Sequence, residues 1–273
     1  MSVDFGRTAD DYARHRAGFP TELFVRLGDL GVGMPGQQVV DVGTGTGTVA
    51  RGFAGRGCHV IGIDPSTELL DQARQLDRAA GISVDYRVGT AEATALPDAS
   101  VDVFSAGQCW HWFDRQAAAN EARRVLRPGG AIVICHFDWL PLPGNVVAAT
   151  EALILEHNPN WRGAGGFGMY PLWTRDVHGA GFSAIETFSF DVDVKYSHEA
   201  WRGRIRASAG VAASLSPDEV ARFDEQHTTM LNEQFPTGPQ SVPHRVWALI
   251  AQAPPLTATT PLQHANGEQS RHH

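Results

Sequence analysis

The nine residues Val39-Val40-Asp41-Val42-Gly43-Thr44-Gly45-Thr46-Gly47 constrain this chain more than any other stretch. A short β-branched run bounded by turn residues reads as a parallel strand covered on both faces. The alternate glycines remove every Cβ at the point where the chain must turn into a helix, so a ligand can press against bare backbone. The helix expected over Thr48 to Ala54 offers its free N–H groups and positive dipole end at the same spot. An anionic group or a carboxylate is expected there.

The spacing of the loop narrows the choice of ligand. Counted from Gly43, the dinucleotide pattern Gly-x-Gly-x-x-Gly would need glycine at position 48, which is Thr48, whereas Asp41-x-Gly43-x-Gly45-x-Gly47 is complete. That form resembles the first motif of class I S-adenosylmethionine (SAM) methyltransferases. The resemblance implies that Asp41, Gly43, Gly45 and Gly47 bind SAM, with the loop wrapped around its methionine part. A ligand-free turn is the competing reading, and three aligned glycines carry a large entropic cost against it.

Cys58 to Ile63 reads as a second buried strand ending at Asp64, which stands 21 residues after Gly43. An acidic residue about 20 positions beyond the first glycine can accept hydrogen bonds from ribose hydroxyls. The alternative for Asp64 is a helix cap, a role Ser66 could also fill before Leu69, Leu70 and Ala73. Val84 to Val88 alternates and suits a strand nearer the sheet edge. Within the resemblance, the following Gly89-Thr90-Ala91-Glu92 corner holds the adenine, with Thr90 where relatives have Asp and backbone contact near Ala91.

A fourth strand, Val101 to Ala106, opens into Gly107-Gln108-Cys109-Trp110-His111-Trp112-Phe113-Asp114. Ligands of open α/β sheets bind outside the carboxyl ends of the strands, so aromatic density here points to a pocket. An alternating His-Trp-Phe-Asp segment also resembles small-molecule methyltransferases. It implies Gln108 beside the cofactor and Trp110, Trp112 and Phe113 around the acceptor. His111 is either a general base or a histidine held in an aromatic wall, and His136, after a fifth strand over Ala131 to Cys135, is the competing base. Asp114 is expected to cap a helix over Ala117 to Leu126, which Leu126-Arg127-Pro128-Gly129-Gly130 ends.

At the N-terminus, Phe5, Ala9, Tyr12 and Arg16 share one helical face, which periodicity alone reads as an amphipathic helix. The run Phe5 to Pro20 is similar to the entry segment of trans-aconitate-type methyltransferases. It implies a lid in which Tyr12 roofs the active site and Arg16 meets the SAM carboxylate.

Downstream, Val146 to His157 has helical spacing, and Asn158 to Gly168 reads as a mobile loop over the acceptor pocket. Ala184 to Val194 and Val242 to Ala251 are expected to form an antiparallel pair at the sheet edge. Between them lie helical insertions over Ser197 to Ala209 and Pro217 to Leu231. Trp201, Ile205 and Ser208 share one face of the first, whereas Arg202, Arg204 and Arg206 cannot all do so and are expected on a solvated helix face. From Pro254 the polar chain reads as a disordered tail.

The expected fold is α/β: a doubly wound, seven-stranded, mostly parallel sheet of the Rossmann-like methyltransferase kind, with one antiparallel strand, an N-terminal lid helix and a helical cap. Residues 1–30 are expected to form the lid, 31–139 the SAM-binding core, 140–238 the cap with one core strand, 239–253 the last strand and 254–273 the tail.

A formal net charge of −8 and a pI of about 5.8 argue against a nucleic-acid surface. The odd cysteines Cys58, Cys109 and Cys135 fit a reducing compartment. With no signal pattern, no run of about 18 apolar residues and no metal-ligand spacing, a cytoplasmic, metal-free protein without a membrane span is expected, its oligomeric state open. Three functions remain: methyl transfer to oxygen or carbon of a small-molecule acceptor, methylation of nucleic acid or protein, and a non-methylating SAM-binding module.

Overall fold

A computed structural model describes residues 18–254. The expected lid contacts of Tyr12 and Arg16 and most of the expected tail lie outside those residues. Seven strands form one sheet: β1 (Gln38–Val42), β2 (His59–Asp64), β3 (Asp85–Val88), β4 (Val101–Gly107), β5 (Leu126–Trp139), β6 (Ser183–Tyr196) and β7 (Gln240–Gln252). Their spatial order is β3-β2-β1-β4-β5-β7-β6. β7 runs antiparallel to both β5 and β6, and every other pairing is parallel. The sheet is therefore mostly parallel with one reversed strand, as the pattern of buried runs predicts.

The order reverses between β1 and β4, and the crevice at that switch point is where open sheets receive ligands. Two helices, α1 (Thr21–Asp29) and α2 (Thr48–Ala54), cover one face of the sheet. Their Leu23, Phe24, Leu27, Val49, Ala50 and Phe53 pack on Val39, Val103 and Val133. α3 (Thr67–Ala80) is capped by Ser66, whose hydroxyl accepts from the Leu69 N–H, and packs through Leu70 and Ala73 on Tyr86 of the edge strand β3.

On the other face, α4 (Arg115–Val125) buries an alanine stripe, Ala118, Ala119 and Ala122, against Phe104, Ile132 and Ile134. Asp114 caps it by accepting from the Ala117 N–H at 3.1 Å. The short α6 (Thr174–Gly179) adds Val177 to the same cluster. Above the sheet, α5 (Val146–His157), α7 (His198–Arg206) and α8 (Pro217–Gln234) build a separate apolar cluster around Trp201, Ile205, Phe223 and Leu231. Ser216 and Glu219 close a capping box at the start of α8.

Two expectations need correction. The fifth strand extends from Leu126 to Trp139, well past Ala131 to Cys135, because Gly129 at φ +77° lets the chain turn and rejoin the ladder, while β7 supplies partners as far as Trp139↔His244. The arginines of α7 are not solvated. Arg202 and Arg206 both pair with Asp224 of α8, and the Arg204 guanidinium stacks 4.6 Å from the Trp139 ring centroid. The three cysteines are buried and joined by no disulfide, and no helix among the described residues is long and apolar enough to cross a membrane.

Candidate active site at the carboxyl edge of the sheet

Gly43, Gly45 and Gly47 all adopt positive φ, between +55° and +77°. Their surroundings differ. A Cβ on Gly43 would meet Cys109 Sγ and Phe113 Cζ at 2.9 Å, and one on Gly47 would overlap the Tyr86 hydroxyl. A Cβ on Gly45 would have nothing within 4 Å. Of the three, only Gly45 faces space that no described residue fills, and there it presents bare backbone to a ligand.

The acidic residues of the motif hold this loop from behind. Asp41 is 1% exposed, and its two oxygens accept from Thr44 Oγ1 at 2.6 Å and Ser105 Oγ at 2.7 Å. It thus positions the loop instead of reaching a ligand. Burial raises its pKa to about 6 despite those hydrogen bonds. Asp64 accepts from the Gly45 N–H at 2.8 Å and the Ser66 N–H at 2.9 Å. Each oxygen keeps a second lone pair, so ribose contact is compatible with this brace. Burial pushes the Asp64 pKa up, opposed by the two backbone donors. Ser66, and not Asp64, is the helix cap. At the expected adenine corner Thr90 is exposed, whereas the Ala91 side chain is buried in the core.

The aromatic segment divides. Trp110 is fully buried, its indole N–H donating to Asp176 at 3.0 Å, so it belongs to the core and does not line a pocket as expected. The reason is the tight 3-10 turn Trp110–Trp112, which points one ring inward and leaves His111 and Trp112 exposed. Phe113 is partly buried and packs toward Gly43.

Gln108 ties two strand ends together. Its side chain spans the tips of β4 and β5, donating to Asp138 Oδ1 at 2.7 Å and accepting from the Phe137 N–H at 2.5 Å. Both ends of the amide serve the sheet, and the residue is held at φ +65°. Asp138 follows His136 at the same functional edge in the sequence, and it is the hub of this edge. Its Oδ2 accepts from the Tyr170 hydroxyl at 2.7 Å and lies 3.3 Å from His136 Nδ1. The His136 contact is an electrostatic one, since neither ring nitrogen has a hydrogen-bond partner. Burial alone would raise the Asp138 pKa; His136 beside it and the Tyr170 and Gln108 donors outweigh that and hold it below the usual carboxylate range.

His136 itself is 1% exposed. It is boxed by Tyr170 at 4.4 Å and Trp173 at 4.9 Å between ring centroids, and Tyr170 and Trp173 stack on each other at 4.1 Å. The His111 ring lies 5.3 Å away, between His136 and the exterior. The two candidate bases are thus neighbours on adjacent strand ends, one exposed and one enclosed. An exposed histidine at an aromatic edge of this kind can take a proton from a molecule that lies against it. Among the described residues no group of acidic, His or Cys side chains could hold a metal ion.

Comparison with known proteins agrees with this geometry. Residues 40–134 match the family described as a methyltransferase domain. Over 132 residues the chain is 38% identical to an uncharacterized methyltransferase of Mycobacterium tuberculosis, a match covering 48% of this chain and 51% of that protein. Over 130 residues it is 36% identical to malonyl-[acyl-carrier protein] O-methyltransferase of Serratia marcescens, covering 47% and 49%. The matched part is about half the length of these curated relatives. A solved structure from Anaeromyxobacter dehalogenans, provisionally designated a type II methyltransferase, shares the fold with a TM-score of 0.59 at 24% identity, over 88% of this chain and 99% of that one. The segment 40–134 is a SAM-dependent methyltransferase domain, set in a class I fold that continues through β7.

Proposed function

We propose that this protein methylates a small-molecule acceptor, at oxygen or carbon, in the cleft over the ends of β4 and β5. The observation that carries this reading is the position of His111, His136 and Asp138 at the ends of β4 and β5, one and two strands over from the glycine loop at the end of β1. SAM, when bound, would supply an activated methyl for the acceptor and leave S-adenosylhomocysteine (SAH) as the co-product. The residues fit that cofactor, since the space beside Gly45 admits a chain against bare backbone and Asp64 stands ready for a ribose.

The chain's own task is then alignment, with a base only where the nucleophile must lose a proton. His111 is the group that meets the acceptor, because it is exposed where His136 is enclosed. His136 stands behind it, 5.3 Å away between ring centroids, and sets the place of the His111 ring, with Asp138 in turn beside His136; His136 is in this sense a positioning residue. Trp112 and Phe113 flank the acceptor. Buried cysteines without a disulfide suit a reducing compartment, which supports a cytoplasmic setting.

Single-turnover methyl transfer across pH, with SAM saturating and a metabolite panel as acceptors, tests this assignment. His111→Ala should slow transfer by about 10²–10⁴-fold with SAH affinity unchanged. His136→Ala should shift the pH profile more than the maximal rate. A loss of only a few-fold in His111→Ala would remove the base from the mechanism.

A further inference from the structure

Arg204 is a cation in the cap that no carboxylate among the described residues neutralises. Its neighbours on α7, Arg202 and Arg206, share Asp224, and each also approaches Glu199. Arg204 has only the face of Trp139, 4.6 Å from its guanidinium carbon, and among the described residues no carboxylate pairs with it. The acids nearby are committed elsewhere. Asp138 is taken by Gln108, Tyr170 and His136, and the Glu151 oxygens accept from Trp139 Nε1 at 2.7 Å and the Gly165 N–H at 2.8 Å.

Arg204 is also deep. It is only partly exposed, and burial pushes its pKa down, with Tyr196 and Asp138 opposing. A charged group that is surrounded by protein and still accessible lines a cleft, not a convex surface. Asp138 and Trp139, also partly exposed, mark that cleft as the one over the tip of β5. Taking a guanidinium out of water without a counter-charge is costly, and the cost is recovered when a ligand brings the anion.

We propose that Arg204 anchors an anionic group, a carboxylate or a phosphate, on the methyl acceptor. Resting on the methyltransferase reading above, this makes the acceptor an organic acid with an apolar body. The planar fork of the guanidinium can grip two oxygens of either anion while its face stays on Trp139. The anion is a handle, and the atom to be methylated lies toward His111.

The test is titration of the SAH-loaded, full-length protein with benzoate, phenyl phosphate and the neutral isostere benzamide, followed by calorimetry and thermal shift. One anion should bind and benzamide should not, and the better of the two anions names the source of the charge. Arg204→Gln should weaken that anion by about 10–100-fold, the scale of hydrogen bonds to a charged group, with SAH affinity intact. Arg204→Lys, which keeps charge without the fork, should fall between and serves if the Gln variant does not fold. Equal binding of benzamide, absence of anion binding to the SAH-loaded wild type, or an anion affinity unmoved in Arg204→Gln would each overturn the anchor. Failure of the wild type to bind SAH would instead overturn the methyltransferase reading.

Discussion

Three glycines in one loop have three different reasons to be glycine. Gly43 makes room for Cys109 and Phe113, Gly47 makes room for Tyr86, and no described residue comes within 4 Å of where a Gly45 Cβ would stand. Substitutions should separate these roles. Gly47→Ala should lower stability, since it adds an overlap with Tyr86 to the roughly 1–2 kcal/mol that a left-handed Cβ costs. Gly45→Val pays only the backbone cost, so it should stay folded while SAH binding is lost. Melting curves and calorimetry on the two variants check this, and an undiminished SAH affinity in Gly45→Val would refute the cradle. The loop, Asp64 and the Asp114 cap were legible in the sequence because their partners lie a few residues away or at a fixed motif spacing. The hydrogen bonds of Gln108, the hub at Asp138 and the unpaired charge of Arg204 were not. They depend on residues 29 or more distant, as with Gln108 to Phe137 and Asp138 to Tyr170, and no local pattern encodes such a pairing.

At the scale of elements, periodicity located the cap helices but misread what they present. Trp201, Ile205 and Ser208 are buried on one face of α7 or just beyond its end, as their spacing requires. The same spacing suggested solvent for the arginines, because the sequence does not show that α8 lies alongside with Asp224 facing them. Asp224 is held below the usual carboxylate range: burial works against it, and the hydrogen bonds and charges of Arg202 and Arg206 prevail. Its loss leaves two guanidinium groups facing each other across a helix pair. Asp224→Asn should therefore destabilise the α7–α8 contact by about 2 kcal/mol, the scale of a hydrogen bond to a charged group. Hydrogen exchange would register this as faster amide exchange in α7 and α8, with the amides of β1 and β4 unaffected. Equal protection in both regions of the variant and the wild type would mean that the apolar cluster of Trp201, Phe223 and Leu231 alone holds the helices together.

At the scale of the whole molecule, buried titratable groups of opposite sign make stability depend on pH in two directions. His227 in α8 and His244 in β7 are each pushed down to about 4, chiefly by burial. A histidine with a depressed folded pKa contributes stability that is present above its unfolded value of about 6.5 and is lost as pH falls toward 4. Asp41, raised to about 6, has the reverse sign: its contribution is present below about 3.8 and is lost as pH rises through 6. The directions of Asp64 and Glu151 are those of Asp41, so the wild-type profile between pH 6 and pH 4 is a balance of opposed terms. Variants take that balance apart. Relative to wild type, His227→Gln should gain stability on going from pH 7 to pH 4, by about 3 kcal/mol for a shift of this size. Asp41→Asn should move the other way over the same range by about 2–3 kcal/mol, since it forfeits the proton that the folded wild type takes up. Urea unfolding of the three proteins at pH 7, 6, 5 and 4 measures both differences. Parallel profiles would show that water reaches these side chains in the folded state, because only a group kept from solvent can hold its proton so far from the ordinary range.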